Sequence, residues 1–257
     1  MRNWLVVVPA RLASTRLPDK PLADLNGKPL LARVVDNLAP LSAAGAAIVA
    51  AIDDPKTASA CQRNGITFQM TRADHATGTD RCAEVATQPG FADRTFILNV
   101  QGDEPFIDPQ DLMALCARIE VQARSRETFP ATLMGSMYFR CRDQARFASP
   151  ATVKVVCDAQ GNAVYFSRSQ IPWDRDNAGL PAEDFLVHMG VYAFHRDALQ
   201  AFCRLPHGKL EAVEKLEQLR AVEAGWRIVM CEARKESIGI DTPEDLAAAR
   251  RKMGGHG

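Results

Sequence analysis

A doubly wound α/β fold, with a mostly parallel sheet and a smaller α/β subdomain appended to it, is the architecture that this sequence predicts. Three observations carry that expectation. Short apolar runs at 4–8, 47–52 and 95–100, bounded by polar or Gly/Pro signals, read as buried parallel strands. Helical patterns alternate with those runs through the first half of the chain. Near residue 130 the pattern changes to strands linked by short turns, as expected for an added subdomain.

The elements follow in order. Residues 29–41 place apolar side chains at 30, 31, 34, 35 and 38, one face of a helix. A helix over 55–64 stops at Gly65, a residue suited to a C-cap. Helices over 79–87 and 109–124 continue the alternation. In the second half 131–138, 152–157 and 163–166 read as strands, the last two joined by the turn sequence DAQGN. The stretch 167–187 is polar and irregular, as functional or disordered loops are. A strand over 188–194 precedes a helix over 210–224, which carries Leu210, Val213, Leu216 and Val222 at helical spacing. A strand over 228–231 leads to a last helix over 242–252, with Thr242 at N-cap, Pro243 at N1 and Asp245 at N3. The organisation implied is a core over 1–130, a subdomain over 131–195, and helices and a strand over 196–257 returning to the core.

Composition narrows the function. Of 257 residues 47% are apolar and 24% charged, as in a soluble globular protein. Lys+Arg and Asp+Glu both number 31, so no general basic field exists to hold nucleic acid, although a local basic pocket remains open. No apolar run has the length of a membrane span. WLVVV is too short for a signal-peptide h-region, and Arg11 follows it at once. The seven cysteines are scattered, with no C-x-x-C and no His at metal-ligand spacing, which reads as reduced, core-filling thiols of a cytosolic protein.

Chemistry concentrates in five stretches. PARLASTRLPDK (9–20) sets Arg11, Arg16 and Lys20 directly after the first strand, where open α/β sheets bind ligands. Three cations with loop amides suit a polyphosphate, and a solvated charged loop is the competing reading. The loop is neither a Walker A motif nor G-x-G-x-x-G, which counts against an NTPase or a dehydrogenase. NVQGDEPFIDP (99–109) puts Asp103 at a strand end, where a carboxylate can hold Mg²⁺ against phosphate oxygens. Gly102 is read there as allowing close backbone approach to a ligand, and Glu104 as a surface acid. TRADHATGTDR (71–81) opens a helix, so anion binding and ordinary capping both explain it; His75 reads as a loop residue. SIGIDTPEDL (237–246) offers Asp241 either as helix-start chemistry or as a second metal carboxylate. KLEAVEKLEQLR (209–220) reads as a solvated helix face with an i,i+4 pair between Glu211 and Lys215.

Seven stretches in order carry a resemblance along nearly the whole chain: VVVPARLASTRLPDKPL, TRADHATGTDR, ILNVQGDEPFIDP, VKVVCDAQGNAVYFSRSQIPWDRD, HMGVYAF, LEQLR and DTPEDL. Together they resemble the CMP-Kdo synthetase (3-deoxy-manno-octulosonate cytidylyltransferase) family. The resemblance implies a nucleotide-diphospho-sugar transferase-like fold and a reaction of CTP with the acidic sugar Kdo, giving CMP-Kdo and pyrophosphate with Mg²⁺. It implies a catalytic group of Arg11, Lys20, Asp103 and Asp241, with Asp103 and Asp241 binding the metal. Nucleotide contacts fall on Ala10, Arg11, Arg16, Lys20, Arg72, Asp74, Thr77, Gly78 and Gln101. Sugar-acid contacts fall on Arg16, Gln101, Arg168, His188, Tyr192, Glu217 and Gln218. It also implies a cytoplasmic homodimer, joined through the 131–195 subdomain, in lipopolysaccharide biosynthesis. Asp19 stands where many relatives have Gly, and Thr77 replaces the usual Ser. Activation of 8-amino-Kdo or another acidic sugar is the near alternative; a glycosyltransferase or a non-catalytic nucleotide-binding module is the distant one.

Overall fold

Strand β1, Trp4–Ala10, is buried along all seven residues and lies between two parallel neighbours. Its neighbours are β2, Ala47–Ile52, and β4, Phe96–Asn99, with β3, Phe68–Met70, beyond β2. The computed structural model describes residues 1–125, 130–176 and 184–254. They form two compact units, Met1–Leu112 with Ser237–Gly257, and Met113–Glu236. The segment 196–236, expected to return to the core with the final helix, falls in the second unit.

In the first unit all four strands run parallel in the order β3-β2-β1-β4. Register places Trp4 opposite Phe96, and their rings stack with centroids 5.0 Å apart. The crossovers are helical: α1 Leu30–Asn37, α2 Ala39–Ala43, α3 Pro55–Arg63 and α4 Gly78–Ala86. The single helix expected over 29–41 breaks at Leu38, because Pro40 has no N–H for the carbonyl one turn back. Helix α3 begins at the Asp54 cap, which accepts from Lys56 N at 2.7 Å, and is followed by Gly65 at φ +65°. Helix α5, Pro109–Ala123, leads on to the second unit.

In the second unit β5, Met134–Cys141, pairs antiparallel with β8, Phe185–His195, and parallel with β9, Ile228–Glu232. The hairpin β6–β7, Lys154–Cys157 and Ala163–Ser167, joins this sheet where Lys154 faces Val187. Its helices are α6 Gln144–Ala148, α7 Arg196–Arg204, α8 Lys209–Glu214 and α9 Leu219–Glu223. Strand β8 takes in residues 185–187 of the stretch expected to be irregular; residues 177–183 of that stretch lie outside the described residues. Gly135 lets α5 pack on β5, since a Cβ there would stand 2.6 Å from Ile119 Cδ1. Strand β3 and helices α6 and α7 were not expected from the sequence. Helix α7 was legible in its apolar positions 198, 199 and 202.

The helix expected over 210–224 is two helices, broken where Lys215 adopts φ 55°. The cause is tertiary. Glu211 pairs bidentately with the buried Arg220 guanidinium at 2.8 and 2.6 Å, not with Lys215. Residues nine apart on one helix are roughly two and a half turns apart and face opposite ways. The pair can close only if the helix turns back on itself. No helix among the described residues is long and apolar enough to cross a membrane.

The end of β1 also packs closely on the turn after β4. A Cβ at Gly102 would lie 2.7 Å from the Pro9 carbonyl oxygen, so Gly102 closes on this chain's own β1 and also lines a cleft beside it. Gly102→Ala is expected to lower stability by about 1–3 kcal/mol, seen as a lower denaturant midpoint at unchanged m-value. An unchanged midpoint would mean that the two segments separate freely.

Candidate active site

The cation-rich loop leaves β1 at Ala10 and turns at Asp19, whose φ of 52° and ψ of 33° lie in the left-handed region. Gly adopts that backbone most easily, and Asp is among the side chains that tolerate it. The Asp19 side chain is exposed and caps nothing. The turn carries Lys20 inward, into a short 3-10 segment, Lys20–Leu22. Lys20 Nζ lies 2.5 Å from Asp103 Oδ2 and 2.9 Å from Asp241 Oδ1. Arg16 reaches the other Asp241 oxygen at 3.1 Å. Burial alone would lower the Lys20 pKa, but the charge and hydrogen bond of Asp103, joined by those of Asp241, outweigh it and hold the ammonium above its ordinary value.

Both carboxylates are held from behind. Asp103 follows β4, where Gln101 Nε2 lies 3.4 Å from the Oδ1 of fully buried Asn99. The segment before α10, Pro243–Gly254, docks on the same turn through Ile240 N and the Asp103 carbonyl at 2.9 Å. The Ser237 hydroxyl donates to Glu104. Glu104 is largely enclosed rather than a surface acid. Burial drives its pKa up to about 7 against the Ser237 hydrogen bond. Asp245 accepts from Thr242 N at 2.9 Å and from Asp241 N at 3.1 Å, while Thr242 Oγ1 accepts from Asp245 N at 3.2 Å. The capping box therefore belongs to Thr242 and Asp245, and it leaves the Asp241 carboxylate to the cations.

A cleft of about 380 Å³ opens beside this group, and Ala10, Arg11, Gly78, Arg81 and Gln101 also line it. Gly78 is close-fitting, since a Cβ there would stand 3.1 Å from Pro9 Cγ. Arg11 donates to the carbonyls of His75 and Ala76 at 2.5 and 2.6 Å, clasping the loop before α4. The Thr77 hydroxyl is engaged in a capping box with Asp80. Arg72 and Asp74 pair with each other at 3.1 Å on exposed surface and do not line this cleft. No cluster of three or more His, Cys, Asp or Glu able to hold a metal occurs among the described residues. Two carboxylates that already converge on one cation, completed by phosphate oxygens and water, nevertheless form a donor set that fits Mg²⁺.

In the second unit, four of the polar side chains form one buried chain. Ser136 Oγ lies 2.8 Å from His188 Nε2, His188 Nδ1 lies 3.5 Å from Gln218 Nε2, and the Tyr192 hydroxyl donates to Gln218 Oε1 at 2.9 Å. The His188 imidazole sits deep against Phe166 and Tyr192, and burial lowers its pKa to about 3. It is therefore neutral at physiological pH. Burial, followed by the nearby Glu217 charge, pushes the Tyr192 phenol well up. Arg168 is no part of that chain of contacts and donates to the carbonyls of Glu214 at 2.8 Å and Pro150 at 2.9 Å.

The family model for cytidylyltransferases matches residues 5–234. A 3-deoxy-manno-octulosonate cytidylyltransferase from Herminiimonas arsenicoxydans is 43% identical, over 97% of this chain and 98% of that one. The chain belongs to the 3-deoxy-manno-octulosonate cytidylyltransferase family. A namesake from Geobacter sulfurreducens is also 43% identical, over 98% of this chain and 99% of its own. A solved CMP:2-keto-3-deoxy-manno-octonic acid synthetase in complex with CTP superposes with a TM-score of 0.86 at 37% identity, covering 98% of each chain.

Sequence reasoning passed over Arg81, although it quoted the family stretch that ends there. Arg81 is completely buried, donating to Asp53 at 2.9 Å and Thr71 at 2.6 Å, while Asp53 accepts from Leu12 N at 3.1 Å. One buried ion pair thus ties the ends of β2 and β3 to the start of the cationic loop. Its signal was an Arg in the first turn of an amphipathic helix, on the side that carries Cys82 and Val85. Arg81→Met is expected to cost about 3–5 kcal/mol, because Asp53 is left charged and unpaired. Adding Asp53→Asn should recover part of the loss in chemical denaturation, since the acceptor for Leu12 N survives.

His188 gives a second expectation. The unfolded chain takes up a proton near its ordinary pKa of 6.5, whereas the folded one resists until about 3. Stability is therefore lost as pH falls through that window. Between neutrality and about pH 5 the loss is on the order of 1–2 kcal/mol, and His188→Gln should remove it. Parallel urea midpoints for the two proteins would expose an error here as identical pH slopes.

Proposed function

We propose that this chain transfers the cytidylyl group of CTP to the anomeric hydroxyl of Kdo, giving CMP-Kdo and pyrophosphate. The observation that carries the reading is the convergence of Arg16, Lys20, Asp103 and Asp241 beside a cleft lined by Arg11. A triphosphate needs that density of positive charge, and the CTP named with the 37%-identical structure agrees with it. The sugar oxygen attacks the α-phosphorus as the bond to the β-phosphate breaks, a transfer limited by positioning and charge. Lys20 and Arg16 would stabilise the charge that builds on the α-phosphate and the departing pyrophosphate. Arg11, clasped to the 75–76 carbonyls, holds one wall of the cleft in place. Asp103 and Asp241 would hold Mg²⁺, which when bound supplies charge neutralisation at the triphosphate.

Arg168, His188, Tyr192, Glu217 and Gln218 receive the sugar acid in this reading, supported by the family resemblance. Gln218 and Tyr192, ordered by neutral His188, would recognise its hydroxyls or carboxylate by hydrogen bonds. A reducing, cytoplasmic setting agrees with seven scattered cysteines and no C-x-x-C motif. The homodimer and the lipopolysaccharide pathway rest on family resemblance alone.

Pyrophosphate release, screened over nucleotides and over Kdo, 8-amino-Kdo and nonulosonic acids with and without Mg²⁺, is the direct test. Release is expected with CTP, one ulosonic acid and Mg²⁺ together; none with CTP and either Kdo or 8-amino-Kdo would sink the reading. Lys20→Ala and Asp241→Ala should each lower kcat by about 10²–10³-fold. Near-wild-type turnover of Asp241→Ala at limiting Mg²⁺ would remove it from the metal set.

A further inference from the structure

Ser136 is completely buried on β5 behind His188, and the reaction as described makes no use of it. It sits at a bulge, where Ser136 faces Tyr192 but the next residue, Met137, faces Met189. The slip brings two β8 carbonyls to Ser136 Oγ, Val191 at 2.8 Å and Met189 at 3.3 Å, beside His188 Nε2 at 2.8 Å. A hydroxyl has one proton to give, and carbonyls only accept. The proton goes to Val191, so Oγ meets the imidazole as an acceptor. His188 accordingly carries its hydrogen on Nε2. Nδ1 is then a lone pair facing the Gln218 amide, and Gln218 Oε1 is left to accept from Tyr192. The other tautomer would need Ser136 to abandon its carbonyls and Gln218 to flip. Each change strands a buried polar group.

We propose that Ser136 is a positioning residue that locks His188 in the Nε2–H tautomer, and so fixes, through His188, the donor–acceptor order that Gln218 and Tyr192 offer the sugar acid. The second half rests on the proposed sugar-acid role of Gln218 and Tyr192; the first does not.

The test uses the full chain labelled with ¹⁵N-histidine. Two-bond ¹H–¹⁵N correlations read the His188 tautomer, assigned by the signal lost in His188→Gln. Wild type should show a neutral Nε2–H ring. Ser136→Ala should give the Nδ1–H form or a mixture, and raise the KM for the sugar acid about tenfold while leaving the KM for CTP within about twofold. Ser136→Cys keeps the volume with a weak acceptor; it should act the same way, and it carries the test if the alanine variant does not fold. A pure Nε2–H ring in a folded Ser136 variant overturns the proposal, whatever the kinetics. A changed tautomer with an unmoved sugar KM supports the lock and overturns the sugar-acid role of His188, so the two failures are distinguishable.

Discussion

One ammonium group organises the first unit. Lys20 Nζ sits between two carboxylates that lie 83 and 221 residues away in sequence, each within hydrogen-bonding distance. Two carboxylates so close would repel, and the ammonium between them offsets that repulsion. The loop after β1, the turn after β4 and the segment before α10 each contribute one member, so the triad also ties together three distant parts of the chain. The backbone bond from Ile240 to Asp103 and the capping box of α10 hold the two acids in place, and the left-handed turn at Asp19 delivers the lysine. The same arrangement suits a metal–triphosphate complex, because its charges are the ones that complex needs.

The second unit works by a different physics. Its polar residues are enclosed, and burial keeps them neutral: His188 is held unprotonated and Tyr192 keeps its proton. In the proposed reading, recognition there would depend on the direction of hydrogen bonds rather than on charge. Direction can be set only by groups with no freedom of their own, a role that the carbonyls at the β5–β8 bulge fill. The loop bearing Glu217 and Gln218 is shaped likewise. The Arg220–Glu211 pair, with Arg220 4.8 Å from the Phe202 ring centroid, forces the reversal between α8 and α9 on which both residues are displayed.

Much of this was readable before any coordinates. The α/β class, the strands β1, β2 and β4, the capped start of α10 and the cationic loop all rest on local signals: apolar runs, Pro and Gly positions, and charge near a strand end. Strand β3 is three residues long, too short to declare itself. The break at Lys215 contradicts a good helical pattern, because the ion pair that causes it is invisible to periodicity. Glu104 differs from its reading as a surface acid because whether a turn residue faces water or its own chain depends on what packs against it.

What the sequence by itself determined is therefore the local chemistry, namely which segments become strands or helices, where cations and acids lie along the chain, and which family those motifs resemble. Only the tertiary structure decided that Lys20, Asp103 and Asp241 meet, that Arg81 lies buried against Asp53, and that His188 is neutral with its hydrogen on Nε2. Proximity and burial are properties of packed side chains from distant positions, and a linear pattern does not carry them.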